Sequence, residues 1–155
     1  MSPAEEFRYL ILAAQREGNR IYADLLKPEA LTPAQAEAII TIDDAASLSL
    51  RQLGSRLVCE MGSPSRLVDT LVLSGLVKRE QDPGDRRSVI LSLTDAGKDA
   101  AGRARAAEAV LHATIVAAVD ARRMAAASDV LRALVDGRPA GEAIEEKKAA
   151  ASRPR

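Results

Sequence analysis

Apolar residues in this chain recur at two different periods, and the switch between them falls near its middle. From the start, Phe7, Leu10, Ile11, Ala14, Ile21 and Leu25 return at helical spacing, which predicts a long helix to about Lys27, before Pro28. Ser2-Pro3-Ala4-Glu5 ahead of it is a capping box with proline at the first helical position. Gly18 weakens that helix by ~1 kcal/mol relative to alanine and leaves room for a close helix contact. Thr32-Pro33-Ala34-Gln35 repeats the same grammar, so a second helix is expected to about Ile42, with Ile39 and Ile40 inward, ending before Asp43-Asp44. A third box, Ser49-Leu50-Arg51-Gln52, opens a short helix carrying Leu50, Leu53 and Leu57 and ending near Val58. Residues 59–62 then turn into Ser63.

Residues 63–94 hold the change of period. Ser63 and Pro64 read as a hydroxyl N-cap followed by a residue with preset φ, and Leu67, Val68, Leu71 and Val72 mark a helix face. Gly75 supplies the left-handed stop. Beyond it Val89, Leu91 and Leu93 alternate with Ser88, Ile90 and Ser92, the period of a strand. A first strand through Val77 to Gln81 is joined to this one by Asp82-Pro83-Gly84-Asp85-Arg86-Arg87, a turn with proline and glycine at its centre. Two short helices separated by a few residues form a helix-turn-helix arrangement. A polar helix face bearing Ser65, Arg66, Asp69 and Thr70, beside a hairpin tipped with arginines, suits a grooved polyanion.

Thr94-Asp95 caps a further helix through 98–119, with Ala101, Ala104, Val110, Leu111, Ile115 and Val119 as its expected buried side. Asp120 caps another, with Met124, Val130, Leu131, Leu134 and Val135 apolar and Gly137-Arg138-Pro139 as its stop. From Ala140 the composition of alanine, glutamate and lysine predicts a frayed helix passing into disorder. The terminal helices are apolar over more than one stripe, and a two-fold helical dimer is the economical way to bury them.

A chain of 155 residues that is 47% hydrophobic and 28% charged is long and apolar enough to bury a core. The formal net charge is zero, so a nucleic-acid partner has to be argued from local arrangement. The single cysteine, Cys59, lies in an apolar Leu57-Val58 segment and reads as a buried, inert thiol. With one histidine, His112, and no clustered Cys/His spacing, no metal site, cofactor or catalytic residue is expected. No leader and no apolar run of membrane-spanning length is read, so no membrane partner and a cytoplasmic location are expected.

The order of elements and several motifs resemble the MarR family of winged helix-turn-helix transcriptional regulators. The carrying residues are Leu31-Thr32-Pro33-Ala34-Gln35, the Ser49 helix, Ser65-Arg66-Leu67-Val68-Asp69, Gly75-Leu76-Val77, and the Asp85-Arg86-Arg87 wing leading to Leu93-Thr94-Asp95-Ala96-Gly97. The resemblance covers roughly residues 5–136. It implies a mainly α fold with a small β-hairpin: a dimerisation helix at 1–30, a winged helix-turn-helix at 31–94, C-terminal dimerisation helices at 95–137 and a flexible tail at 138–155. It also implies a ligand-responsive repressor that binds a pseudo-palindromic operator in double-stranded DNA as a homodimer. Ser63, Ser65, Arg66 and Thr70 would face the major groove. Arg87 would enter the minor groove, braced by an ion pair with Asp85, and Arg86 and Arg79 would add phosphate or groove contacts. Ser49 and Arg51 are candidates for phosphate. Asp69 would repel phosphate unless it accepts from a cytosine amine or pairs with Arg66. Tyr9, Arg16, Tyr22 and His112 lie on helices that would line a cleft for a small aromatic or anionic effector.

Two other classes compete with that reading. A winged-helix module could bind an acidic protein surface instead of DNA, a possibility the neutral net charge leaves open. A small enzyme is the weaker competitor, since the motifs for one are missing.

Overall fold

Capping decides where the helices begin. All three capping boxes form with both of their reciprocal hydrogen bonds, at Ser2–Glu5, Thr32–Gln35 and Ser49–Gln52. The computed structural model describes residues 1–58, 63–85 and 87–151. Its elements are α1 (Pro3–Leu26), a 3₁₀ turn (Lys27–Glu29), α2 (Pro33–Ala45), β1 (Leu48–Ser49), α3 (Leu50–Arg56), α4 (Pro64–Leu73), β2 (Val77–Gln81), β3 (Val89–Leu93), α5 (Asp95–Ala118), α6 (Ala121–Val135) and α7 (Pro139–Ala151). The turn read at 59–62, Cys59 within it, and Arg86 lie outside the described residues.

The expected hairpin is there, but it belongs to a three-stranded antiparallel sheet ordered β1-β3-β2. Leu48 faces Leu91 across β1 and β3, and Val77 faces Leu93 across β2 and β3. A two-residue strand is too short to show a period, which is why the pattern did not disclose it. Leu26, Ile39, Ile42, Leu53, Val68, Leu71 and Leu91 are fully buried and join α1, α2, α3, α4 and the sheet in one core. Each such side chain contributes roughly 1.5–3 kcal/mol of burial. Ala100, Ala101 and Ala104 bring α5 in close.

α2 runs past its expected end to Ala45. Asp43 and Asp44 stay helical because Arg105 of α5 reaches both carboxylates, at 2.9 Å each. Partial burial opposes the charge on Arg105, but the hydrogen bonds to Asp43 and Asp44 outweigh it and hold the pKa above the ordinary value. The chain then reverses through Ala46 at φ 59°, ψ −43°, with the Ser47 N–H bonded to the Ala45 carbonyl at 2.7 Å. This is a strained γ-turn that aims β1 back along the sheet.

In a single protomer the two ends of the chain leave the most apolar surface exposed. On α1 only Tyr22 and Leu26 are buried, while Phe7, Leu10 and Ile21 are exposed. On α5 Val110 and Ile115 are exposed, as is Val119 at its C-cap, and α6 buries nothing. Val72 of α4, expected inward, is also exposed. The frayed helix expected within the 138–155 tail is α7 at residues 139–151, and instead of hanging free it packs on α3 and α2 and buries Ala143. Among the described residues no helix is long and apolar enough to cross a membrane, and no group of side chains could hold a metal ion.

Candidate nucleic-acid interface

α4 begins without a side-chain cap. Ser63 stands at the N-cap in extended backbone (φ −154°, ψ 117°), yet its hydroxyl makes no capping bond, contrary to the sequence expectation. The first-turn amides of α4 therefore keep their donor capacity at the positive end of the helix. Gly54 of α3 explains how this end is positioned. A Cβ there would lie 3.3 Å from Pro64 Cγ, so the glycine lets the start of α4 close against α3. Arg66, Asp69 and Thr70 are exposed on the outer face of α4, and Leu67, Val68 and Leu71 hold the inner face in the core. The Thr70 hydroxyl donates to the Arg66 carbonyl at 3.0 Å, which leaves its oxygen as an acceptor.

The loop between β2 and β3 is held by two aspartates acting on backbone. Asp82 Oδ1 accepts from Gly84 N–H at 2.8 Å, and Asp85 Oδ1 accepts from Arg87 N–H at 2.9 Å. Asp85 thus braces Arg87 through its main chain, and the expected side-chain ion pair between them is absent. The difference matters chemically. An Asx-type turn orients the backbone and leaves the guanidinium free to reach outward, whereas an ion pair would have partly neutralised it.

Arg79 also departs from expectation. Its Nη1 lies 2.8 Å from Asp69 Oδ1, so the carboxylate on the outer face of α4 pairs with β2 and not with Arg66. A potential repulsive charge is neutralised, and Arg79 is spent doing it. Arg51, Arg66 and Arg87 are exposed and form no ion pair among the described residues.

These groups converge. Arg51, Gly54, Ser63, Ser65, Arg87 and Ser88 line one shallow groove between α3, the start of α4 and β3. Ser49, Arg51, Gln52, Ser55, Asp82 and Ser88 line a recess beside it. Of the expected DNA-facing residues, Ser49, Arg51, Ser63, Ser65 and Arg87 thus share one surface, with Arg66 and Thr70 on the adjoining helix face. Gln52, Ser55 and Ser88 were not anticipated. Gly54 could have pointed to them, since a glycine inside a short helix signals a close approach. The four effector candidates are not placed alike: Tyr22 belongs to the hydrophobic core, while Tyr9, Arg16 and His112 are exposed. The Arg8 guanidinium sits 4.4 Å over the Tyr9 ring.

Residues 31–89 match the model of the MarR family. The chain is 33% identical over 95 residues to the HTH-type transcriptional regulator TtmR of Methylorubrum extorquens, covering 61% of this chain and 49% of that protein. It is 32% identical over 88 residues to the multiple antibiotic resistance protein MarR of Escherichia coli, covering 57% of this chain and 61% of that one. These matches span about half to three-fifths of the relatives' lengths. The fold is similar to that of a cysteine-to-serine mutant of E. coli MarR crystallised with operator DNA, with a TM-score of 0.77, 24% identity, and coverage of 87% of this chain and 99% of that chain.

Proposed function

We propose that this chain is a member of the MarR family, whose model matches residues 31–89, and that it is a DNA-binding transcriptional regulator, a ligand-responsive repressor acting as a homodimer. The observation that carries the reading is the convergence of uncapped α4, Arg51 of α3 and Arg87 of the wing on one groove. Donors at a helix N-terminus take phosphate, Arg66 and the serines of α4 reach base edges in the major groove, and Arg87 enters the minor groove, where the negative potential is concentrated. One relative it matches is named an HTH-type transcriptional regulator, and the structural neighbour was crystallised with operator DNA. A second copy, related by a two-fold axis, presents the same surface to a half-site about 34–36 Å away, one helical turn along the duplex. An effector that favours a dimer with a different spacing lowers affinity by shifting population. No step of this function calls for catalysis, and a chromosomal partner places the protein in the cytoplasm.

The test is a fluorescence-anisotropy titration against a duplex from the region upstream of its own gene, over a range of salt. Arg87→Ala is expected to weaken binding and to reduce the salt slope by about one. Unchanged affinity and slope would remove the wing from the interface. Binding no tighter than to a random duplex would favour a protein-assembly role.

A further inference from the structure

Helix α7 closes back onto the helix-turn-helix, and it does so at the turn. α7 packs mainly on α3, and its Ala143 is 1% exposed. Two adjacent charged residues then grip the place where the chain leaves α3. Glu146 Oε2 lies 3.1 Å from Nε of Arg56, the last residue of α3. Lys147 Nζ lies 2.9 Å from Oε1 of Glu37 on α2, and that same oxygen accepts the Val58 N–H at 2.9 Å. Val58 stands two residues beyond α3, at the start of the connection into α4. The side chain of Glu37 is only 12% exposed, so its charge is less screened than that of a surface carboxylate. The order of charges is specific as well. Glu146 and Lys147 meet Arg56 and Glu37, and a slip of one residue along α7 would bring Glu146 towards Glu37, carboxylate against carboxylate.

We propose that Glu37, Arg56, Glu146 and Lys147 are positioning residues: with α7 docked, they hold the α3–α4 connection and so the presentation of α4 to DNA, and undocking α7 lowers operator affinity. α6 leads directly into α7 and buries none of its own side chains, so rearrangement of the terminal helices reaches the turn through this latch. The proposal rests on the DNA-binding reading above and deepens it.

The experiment uses the full-length protein and two readouts: hydrogen exchange at the Val58 amide without DNA, and the ratio of affinities for the upstream duplex and a random duplex. The ratio cancels the general effect of an added charge. Lys147→Glu is expected to speed Val58 exchange and to lower the ratio, each by about fivefold, the scale of one half-exposed ion pair. Lys147→Arg should preserve both. Arg56→Glu and Glu146→Arg should each lower the ratio, and the charge-swapped double variant should recover most of it. The proposal is overturned by Lys147→Glu protein with wild-type exchange and ratio. It is also overturned if Glu146→Arg leaves the ratio unchanged while Arg56→Glu lowers it beyond rescue, because Arg56 is then a phosphate contact. Wild-type protein that binds no duplex, with Val58 exchange still answering to Lys147, defeats the DNA-binding reading instead.

Discussion

Thr94 and Gly97 show how much a joint can ask of two residues. The Thr94 hydroxyl accepts from Gly97 N–H at 2.9 Å, capping α5, and donates to the Gly75 carbonyl at 2.6 Å, tying that cap to the end of α4. Gly97 follows because a Cβ on it would lie 2.0 Å from the Leu76 carbonyl oxygen, a backbone atom that cannot swing aside. Gly97→Ala is therefore expected to destabilise the fold by about 3 kcal/mol, the upper range for overpacking, as a lowered urea midpoint at unchanged slope. A wild-type midpoint would mean that the joint opens freely. The threonine cap was legible as a motif. The close approach behind the glycine was not, because it depends on a strand that arrives from elsewhere in the chain.

At the scale of elements, α4 and β2 act together. Asp69 looked like a liability on the DNA-facing side of α4, with Arg66 at i+3 as its nearest partner in sequence. The sheet instead brings Arg79 to it from ten residues away. Pairing with an arginine on a neighbouring strand keeps Arg66 available and takes Arg79 out of the set of free cations. Asp69→Asn should release Arg79, tighten binding to any duplex and steepen the salt dependence by about one. The upstream-to-random affinity ratio should fall, since the added contact is to phosphate and carries no sequence information. An unchanged salt slope in the anisotropy titration would mean that Arg79 stays directed away from the DNA.

For the whole molecule, the surplus of exposed apolar surface sits on α1, α5 and α6. Leu10, Val116 and Leu134 are at least half exposed, although helical periodicity marked these helices as amphipathic. Among the described residues of one protomer nothing covers them, and in the proposed homodimer their counterparts do. Leu134→Asp leaves the protomer core untouched and removes about 2 kcal/mol of burial per copy from that contact. Sedimentation should then show a shift from dimer to monomer with unaltered circular dichroism. A wild-type sedimentation coefficient would move the interface off α6.

Local signals were decided by the sequence alone: the three capping boxes, the helix-turn-helix order, the change of period at 63–94 and the wing with its arginine. Each depends on residues within a few positions of one another, where backbone propensity and side-chain capping act without help from distant parts. Tertiary structure decided everything that depends on a partner far along the chain. It assigned Asp69 to Arg79, extended α2 through Arg105, added β1 to the sheet, and docked the frayed helix expected in the tail so that it grips Arg56 and Glu37. Charge pairs and two-residue strands have no periodicity of their own. Their partners are chosen by which surfaces the core brings together, and only the folded chain states that.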